Sequence, residues 1–257
     1  MVFQFEEINY TILNKRRRTV GTGNYSNNGA NAVISNFGPN LNIPEQVQDE
    51  NGNYYRVTEI GPSSFEFCLN IIHVFVPSSI EIIRRRGFIF LRNCETFVFA
   101  NNSHLKIVEQ HGLYDMYKIK SLVFTSNCLK ELGESSISYA LVLQTLVLPS
   151  SITKIEAHSL CGMEQIKSIY YCGSVFQGDV ISSHTVKNSK TNESAKIFVS
   201  NNYHHSTFGN REDFEFADEE ICRHKTNICS SVIETCMKRY NSLKHESLLL
   251  AILLMVN

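Results

Sequence analysis

The sequence predicts an α/β solenoid with a parallel β-sheet on its concave side, turns or short helices on its return side, and a C-terminal helix. A phrase of alternating apolar residues recurs every 23 to 25 residues between Val57 and Cys172. A fixed period of this length is typical of stacked repeat units. The last forty residues carry a different pattern, an apolar stripe at three- and four-residue spacing, and this pattern predicts the helix.

The clearest repeat unit spans residues 71–88, and a close copy spans residues 143–160. In both, a short apolar run leads into Pro-Ser-Ser-Ile, at residues 77–80 and 149–152. Each unit closes on an aromatic or aliphatic anchor, and successive anchors are 23, 25, 24 and 23 residues apart. The anchors are Phe65, Phe88, Leu113, Ile137 and Leu160. The longest unit fits if about two residues are inserted at Asn101-Asn102-Ser103.

The apolar residues of a unit alternate, as Val74 and Val76 do, and such alternation predicts a strand with one buried face. Pro77 and Pro149 lie at the ends of their strands, where a missing amide costs little. A strand of three or four residues cannot bury an apolar face alone. The units must therefore stack about 4.8 Å apart into a parallel sheet, and the anchor segment returns the chain as a turn or short helix.

If Val74 and Val76 point inward, their neighbours along the strand point outward on the concave sheet. The outward positions form an apolar row, Phe75, Val98, Val123, Val147 and Tyr170, beside a mostly hydroxyl row, His73, Thr96, Ser121, Thr145 and Ser168. Contiguous exposed apolar surface marks a protein contact, so these ten residues are the predicted ligand-binding face. Hydroxyl and aromatic side chains would also suit a glycan. The alternative is that β-branched residues here only favour the strand and are shaded by loops.

The phrase Ile-x-x-Val-x-Val-Pro-Ser-Ser-Ile-x-x-Ile-(x)4-Phe, from Ile71 to Phe88, resembles the BspA-like leucine-rich repeat proteins of bacterial and protist surfaces. Residues 52–65 also look like the opening unit of that family. The resemblance covers about residues 40–173, and it implies a curved, ligand-binding or adhesive solenoid without catalysis. Arg84 departs from the family pattern, since it stands where glycine usually follows the second aliphatic residue, and Glu109 and Glu156 depart in the same way.

Four regions follow from these patterns: an N-terminal β-rich cap (1–40), a leucine-rich repeat solenoid (41–173), an irregular C-terminal flank (174–217) and a C-terminal helix (218–257). The cap meets a physical need, because an uncovered sheet edge invites aggregation. Within the flank, Lys196-Ile197-Phe198-Val199 is the one clear strand candidate.

The C-terminal helix is predicted from its acidic first turn at Asp218-Glu219-Glu220, which suits a helix N-terminus, and from its stripe. The stripe is Cys222, Cys229, Ile233, Cys236, Tyr240, Leu243, Leu250 and Leu254. Three interpretations stay open: the helix caps the last repeat, it mediates self-association, or it is part of a truncated membrane segment. Its cysteines are spaced about 10.5 Å apart on a helix, too far for one zinc ion.

Composition restricts the partners. The formal net charge is −1, so no electrostatic argument supports nucleic acid. The N-terminus lacks the basic and apolar regions of a signal peptide, and the apolar run Leu248–Val256 is shorter than a membrane span of about 20 residues. Cytoplasmic location is the default expectation, with the cell surface as the alternative that the family implies.

Motifs for chemistry are not visible. The sequence has no phosphate-binding glycine loop, nucleophile elbow or zinc-ligand spacing, and His204-His205 lacks a third ligand. We therefore predict a non-catalytic protein-binding module without metal or cofactor. Two alternatives stay open, a surface adhesin for host proteins or glycans and an enzyme whose site is not visible in sequence. The identity of the ligand and the redox state of the eight cysteines are left open.

Overall fold

A computed structural model describes residues 1–26, 31–33, 37–171, 173, 196–206, 208, 212 and 214–217 of the chain. Within these residues the structure consists of strands and turns, with no helix. The prediction of turns on the return side is correct, whereas the short helices that were its alternative do not form there, and the described residues do not support the α/β class. The reason is local: each return holds two residues with positive φ, which interrupt a right-handed helix. The helix predicted at 218–257 lies outside the described residues.

Each repeat unit contains a strand of three or four residues and, nine to eleven residues later, a strand of two residues. In chain order, the strands of the described residues are β1 (Val2–Phe5), β2 (Ile8–Asn14), β3 (Thr19–Thr22), β4 (Asn40–Asn42), β5 (Gln46–Gln48), β6 (Tyr54–Ile60), β7 (His73–Val76), β8 (Ile82–Ile83), β9 (Thr96–Phe99), β10 (Ile107–Val108), β11 (Ser121–Val123), β12 (Glu131–Leu132), β13 (Thr145–Leu148), β14 (Lys154–Ile155), β15 (Ser168–Tyr171), β16 (Lys196–Ser200) and β17 (Glu215–Ala217).

The longer strands of the units form the front sheet, which is parallel throughout. β4, β7 and β9 pair in this order, and β11, β13, β15, β16 and β17 pair in the same way. Each strand pairs in register with the equivalent strand of the next unit, so that Val74 pairs with Phe97. β16 contains the strand predicted at residues 196–199 and extends the sheet beyond residue 173. The division of the chain into four regions stays a prediction.

The two-residue strands form a second parallel sheet, the back sheet, which the sequence reasoning missed. β6, β8, β10, β12 and β14 pair in this order. At the N-terminal end, β3 pairs with β6, and β2 and β1 continue the sheet in antiparallel fashion. β5 also pairs antiparallel with β6. These N-terminal strands occupy the end of the solenoid where the sequence predicts a cap.

The core lies between the two sheets and the return turns. All five predicted anchors are buried, with exposed fractions of 1% or less. Rings of neighbouring units stack, as Phe65 and Phe88 do with 5.1 Å between ring centroids, and as Phe99 and Phe124 do at 5.2 Å. Core side chains therefore contact neighbouring units, and stability comes from intrinsic and nearest-neighbour terms.

Arg84 forms ion pairs across three units, which accounts for one departure from the glycine pattern. Its guanidinium lies 2.7 Å from the carboxylates of both Glu59 and Glu109. The hydroxyl of Tyr25 donates to Glu59 at 2.8 Å, so the network also reaches the N-terminal segment. The hydrogen bonds to Glu59 raise the pKa of Arg84. A partly buried network of this kind stabilises more than an isolated surface pair does.

Candidate binding face

The predicted apolar row is continuous within each half of the front sheet. Phe75 is the register partner of Val98, and further along the sheet Val123 pairs with Val147 and Val147 with Tyr170. Because the units are in register, the five side chains lie on one side of the front sheet. This side is called the ladder face below, and it is the surface that the sequence predicts as concave.

The predicted polar row lies beside the apolar one on the ladder face. His73 pairs with Thr96, and Thr145 pairs with both Ser121 and Ser168. His73 Nδ1 lies 2.8 Å from the hydroxyl oxygen of Thr96, so hydrogen bonding links adjacent units along this row. The rows therefore present hydroxyl groups next to apolar side chains, and the Thr96 hydroxyl is held by its contact with His73.

Both rows are longer than the sequence reasoning proposed. At the N-terminal end, Asn42 precedes Phe75 in the apolar row, and Asn40 precedes His73 in the polar row. At the C-terminal end, Phe198 follows Tyr170, and their rings stack at 4.8 Å and 9°. Sequence spacing alone could not place Phe198 here, because about 28 residues separate it from Tyr170 and the period is lost between them.

The apolar row is half-buried rather than open. Phe75, Val98, Val123 and Tyr170 have intermediate exposure, whereas Val147 is only 1% exposed. The expectation of an exposed side chain is therefore wrong at Val147, which lies in register between Val123 and the large side chain of Tyr170. The surface available to a ligand consists of the remaining side chains.

The front sheet is interrupted between β9 and β11, which belong to separate sheets. The interruption coincides with the two-residue insertion predicted at residues 101–103, because β10 starts eleven residues after β9 while β8 starts nine after β7. Asn102 has a positive φ of 55° in the loop that accommodates the extra residues. The Thr125 hydroxyl bridges the gap by donating to the Ala100 carbonyl at 2.7 Å. The ladder face therefore has two halves.

The ladder face is almost uncharged. From β4 to β16 the two rows contain no acidic residue, and their basic groups are His73 and Lys196. The ammonium group of Lys196 lies 3.0 Å from the Glu215 carboxylate of β17, which offsets its charge. Burial lowers the pKa of His73, although the nearby Glu95 carboxylate acts in the opposite direction. The face therefore suits a neutral surface better than a polyanion.

His73 makes stability depend on pH with a defined sign. Its pKa is lower in the folded state, so the unfolded chain binds more protons as the pH falls below about 6.5. We expect acidification from about pH 7 to about pH 5 to destabilise the wild type more than His73→Asn. Urea midpoints at both pH values measure the difference. Equal pH-dependent losses in the two proteins would contradict this assignment.

Reactive and metal-binding groups offer little support for chemistry. Among the described residues, no group of three or more His, Cys, Asp and Glu side chains is placed to hold a metal ion. Burial raises the pKa of Cys68 to about 11 and that of Cys94 to about 12, so both thiols are protonated at neutral pH. His204 and His205 are exposed. The three cysteines of the C-terminal stripe, Cys222, Cys229 and Cys236, lie outside the described residues.

The repeats match a known family model. A model of the BspA type leucine rich repeat region matches residues 58–193 in six copies, which is more than half of the chain. The chain belongs to the BspA-type leucine-rich repeat family. The resemblance inferred from the repeat phrase is thereby confirmed. No curated protein matches this BspA-type chain.

Solved structures confirm the leucine-rich repeat fold. The chain is similar to the leucine-rich repeat protein TpLRR of T. pallidum, with 15% identity, a TM-score of 0.55, and 87% of this chain and 93% of that chain covered. It is also similar to the pneumococcal vaccine antigen PcpA, with 17% identity, a TM-score of 0.53, and 84% of this chain covered. The BspA-type chain spans about half of that PcpA structure, 48%. The described part of the chain forms no helix able to cross a membrane.

Proposed function

We propose that the chain is a non-catalytic protein-binding module whose ladder face contacts a neutral, partly apolar surface of its partner. The observation that carries this proposal is the apolar row of Phe75, Val98 and Val123, which runs across neighbouring units beside a row of hydroxyl groups. Parallel sheets are normally covered on both faces, and the described residues cover only the inner face of the front sheet with core side chains.

Preorganisation supports the proposal. The ladder residues lie on strands held by backbone hydrogen bonds to at least one neighbouring unit, and the His73–Thr96 contact fixes part of the polar row. A binding surface that is already ordered loses less conformational entropy on association than a loop does. The low charge of the face favours selection by shape and hydrogen bonding over long-range steering.

The test removes apolar surface while keeping the strands. We expect the triple variant Phe75→Ser, Val98→Thr, Val123→Thr to lower partner affinity at least about tenfold, since threonine keeps β-branching but loses apolar contact. Val147 is left unchanged, because it is buried. The partner is first captured from the source cell with the wild-type chain by cross-linking, and its Kd is then measured for each protein.

The matched control for the triple variant is Tyr54→Ser, which removes an aromatic ring that is 52% exposed and lies on β6, away from the ladder face. Circular dichroism melting checks that both proteins are folded. A folded triple variant with wild-type affinity would contradict the proposal.

A glycan is the second candidate ligand, as part of a surface adhesin. The hydroxyl row and the stacked rings of Tyr170 and Phe198 favour it, since sugars combine hydroxyl groups with apolar faces. PcpA, one of the structural relatives, is a vaccine antigen. Antibody staining of intact against permeabilised cells separates a surface adhesin from an intracellular scaffold. Binding to a glycan array that is lost in Tyr170→Ser, which removes one of the stacked rings, would favour the adhesin.

A further inference from the structure

The return turns carry a second ordered surface, which is separate from the ladder face. Each turn has two positions with positive φ, four residues apart, and these positions align from unit to unit. The pairs are Ser63 and Phe67, Arg86 and Phe90, His111 and Asp115, Ser135 and Tyr139, and His158 and Gly162. A left-handed conformation is unfavourable for large side chains, so aromatic residues at three of these positions call for a compensating contact.

Four aromatic side chains form a row along these turns, the aromatic ridge: Phe67, Phe90, Tyr114 and Tyr139. Successive ring centroids are 4.4, 5.8 and 5.2 Å apart. Phe67 is 54% exposed and Tyr139 47%, and Leu69, beside Phe67, is 46% exposed. Phe90 and Tyr114, between them, are partly exposed, as are Phe75, Val98 and Val123 on the ladder face. A continuous apolar row with exposed ends of this kind marks a protein contact.

The aromatic ridge stops at Gly162. This glycine occupies, in the following unit, the turn position that Phe67, Phe90 and Tyr139 occupy in theirs, with the same positive φ. One end of the ridge therefore projects the ring of Phe67, and at the other end the ring of Tyr139 packs against Gly162, where a Cβ would lie 3.3 Å from it. If the order of the units is reversed, Phe67 comes opposite the surface that Tyr139 and Gly162 form.

Charges beside the ridge follow the same reversed order. Arg85 and Glu134 are both exposed, and they lie one unit before and one unit after Gln110. Arg85 Nε donates to Gln110 Oε1 at 3.1 Å, and Gln110 Nε2 donates to Glu134 Oε2 at 2.8 Å. The row thus has a positive end, an amide at its centre and a negative end.

We propose that the aromatic ridge is the interface of a twofold symmetric dimer formed with a second copy of this chain. The axis crosses the row of units at Gln110, so the units of the two copies run in opposite directions. Arg85 then faces Glu134 of the second copy, and by symmetry the same pair forms again on the other side of the axis. Phe67 then faces the unit of Gly162 in the second copy, and Phe90 faces its Tyr139.

Opposite charges favour this occupant over another apolar partner, because a self-complementary surface with two Arg–Glu pairs fixes the antiparallel orientation. The proposal is independent of the ladder face, which stays free in such a dimer. It also differs from self-association through the C-terminal stripe, since every residue that it uses lies between residues 67 and 162.

The experiment uses charge reversal in the full chain. Sedimentation equilibrium over about 1 to about 100 µM is expected to show the wild type approaching twice the monomer mass of 29.3 kDa. Arg85→Glu alone and Glu134→Arg alone are each expected to weaken the dimer at least about tenfold, because each places like charges opposite one another at both pairs. The two single variants mixed together are expected to form a heterodimer, and the double variant to recover the homodimer.

Phe67→Ser tests the apolar part of the interface with the control Tyr54→Ser, an exposed ring outside the ridge. We expect the first to weaken dimerisation and the second to leave it unchanged, with circular dichroism confirming the fold of both. A wild type that stays monomeric throughout, single charge variants that dimerise like the wild type, or a mixture that fails to recover the dimer would each overturn the proposal.

Discussion

Replacing Phe88 by alanine is expected to lower the free energy of unfolding by about 3–5 kcal/mol. The ring is fully buried, stacks on Phe65 at 5.1 Å and contacts the edge of Phe97 at 5.0 Å, so its loss leaves a cavity shared by neighbouring units. Urea denaturation followed by circular dichroism measures the change.

The matched control for Phe88→Ala is Tyr54→Ala, which removes a ring that is 52% exposed and should change stability by about 0.5 kcal/mol or less. If the two variants lost similar amounts of stability, the assignment of Phe88 to the shared core would be wrong.

Gly61→Ala is expected to cost about 3 kcal/mol, at the upper end of the range for overpacking. A Cβ at this position would lie 2.0 Å from the carbonyl oxygen of Thr22 and 2.8 Å from the ring of Tyr25, so the backbone must shift. The Gly61 amide also donates to the Thr22 hydroxyl at 3.1 Å, where the N-terminal strands meet the first repeat. Chemical denaturation measures the loss.

Gly38→Ala is the control for Gly61→Ala, because a Cβ at Gly38 would meet no atom within 4 Å. Hydrogen exchange adds a spatial readout: in a solenoid, protection should fall first in β1–β3 and β6, while β13 and β15 keep theirs. Uniform loss of protection, or equal stability of the two glycine variants, would contradict a local clash.

The parts of the fold that depend on periodic burial could be predicted from the sequence. The anchors Phe65 to Leu160 and the alternation at Val74 and Val76 placed the front strands, because burial selects the same residue types in every unit. The back sheet was missed, since strands of two residues such as Ile82–Ile83 are too short to show alternation. The return turns were ambiguous, because residues such as Arg86 and Phe90 adopt positive φ without being glycine.

The candidate site was predictable as a set of outward positions but not as a surface with defined exposure. Register placed Phe75 beside Val98, whereas the burial of Val147, between Val123 and Tyr170, does not follow from register alone. The aromatic ridge left a signal that the sequence reasoning did not use. An aromatic residue follows the anchor by two positions in three units, at Phe67, Phe90 and Tyr139.

The interruption between β9 and β11 has a mechanical consequence. The back sheet continues through β8, β10 and β12 at the same level, and the Phe99–Phe124 stack joins the units on either side of the interruption. The solenoid is thus interrupted in its front sheet only. Bending concentrates at this interruption, with the back sheet as the pivot, while each half of the front sheet stays stiff. A ligand that spans both halves would set the angle between them, whereas one that binds a single half would leave this angle free.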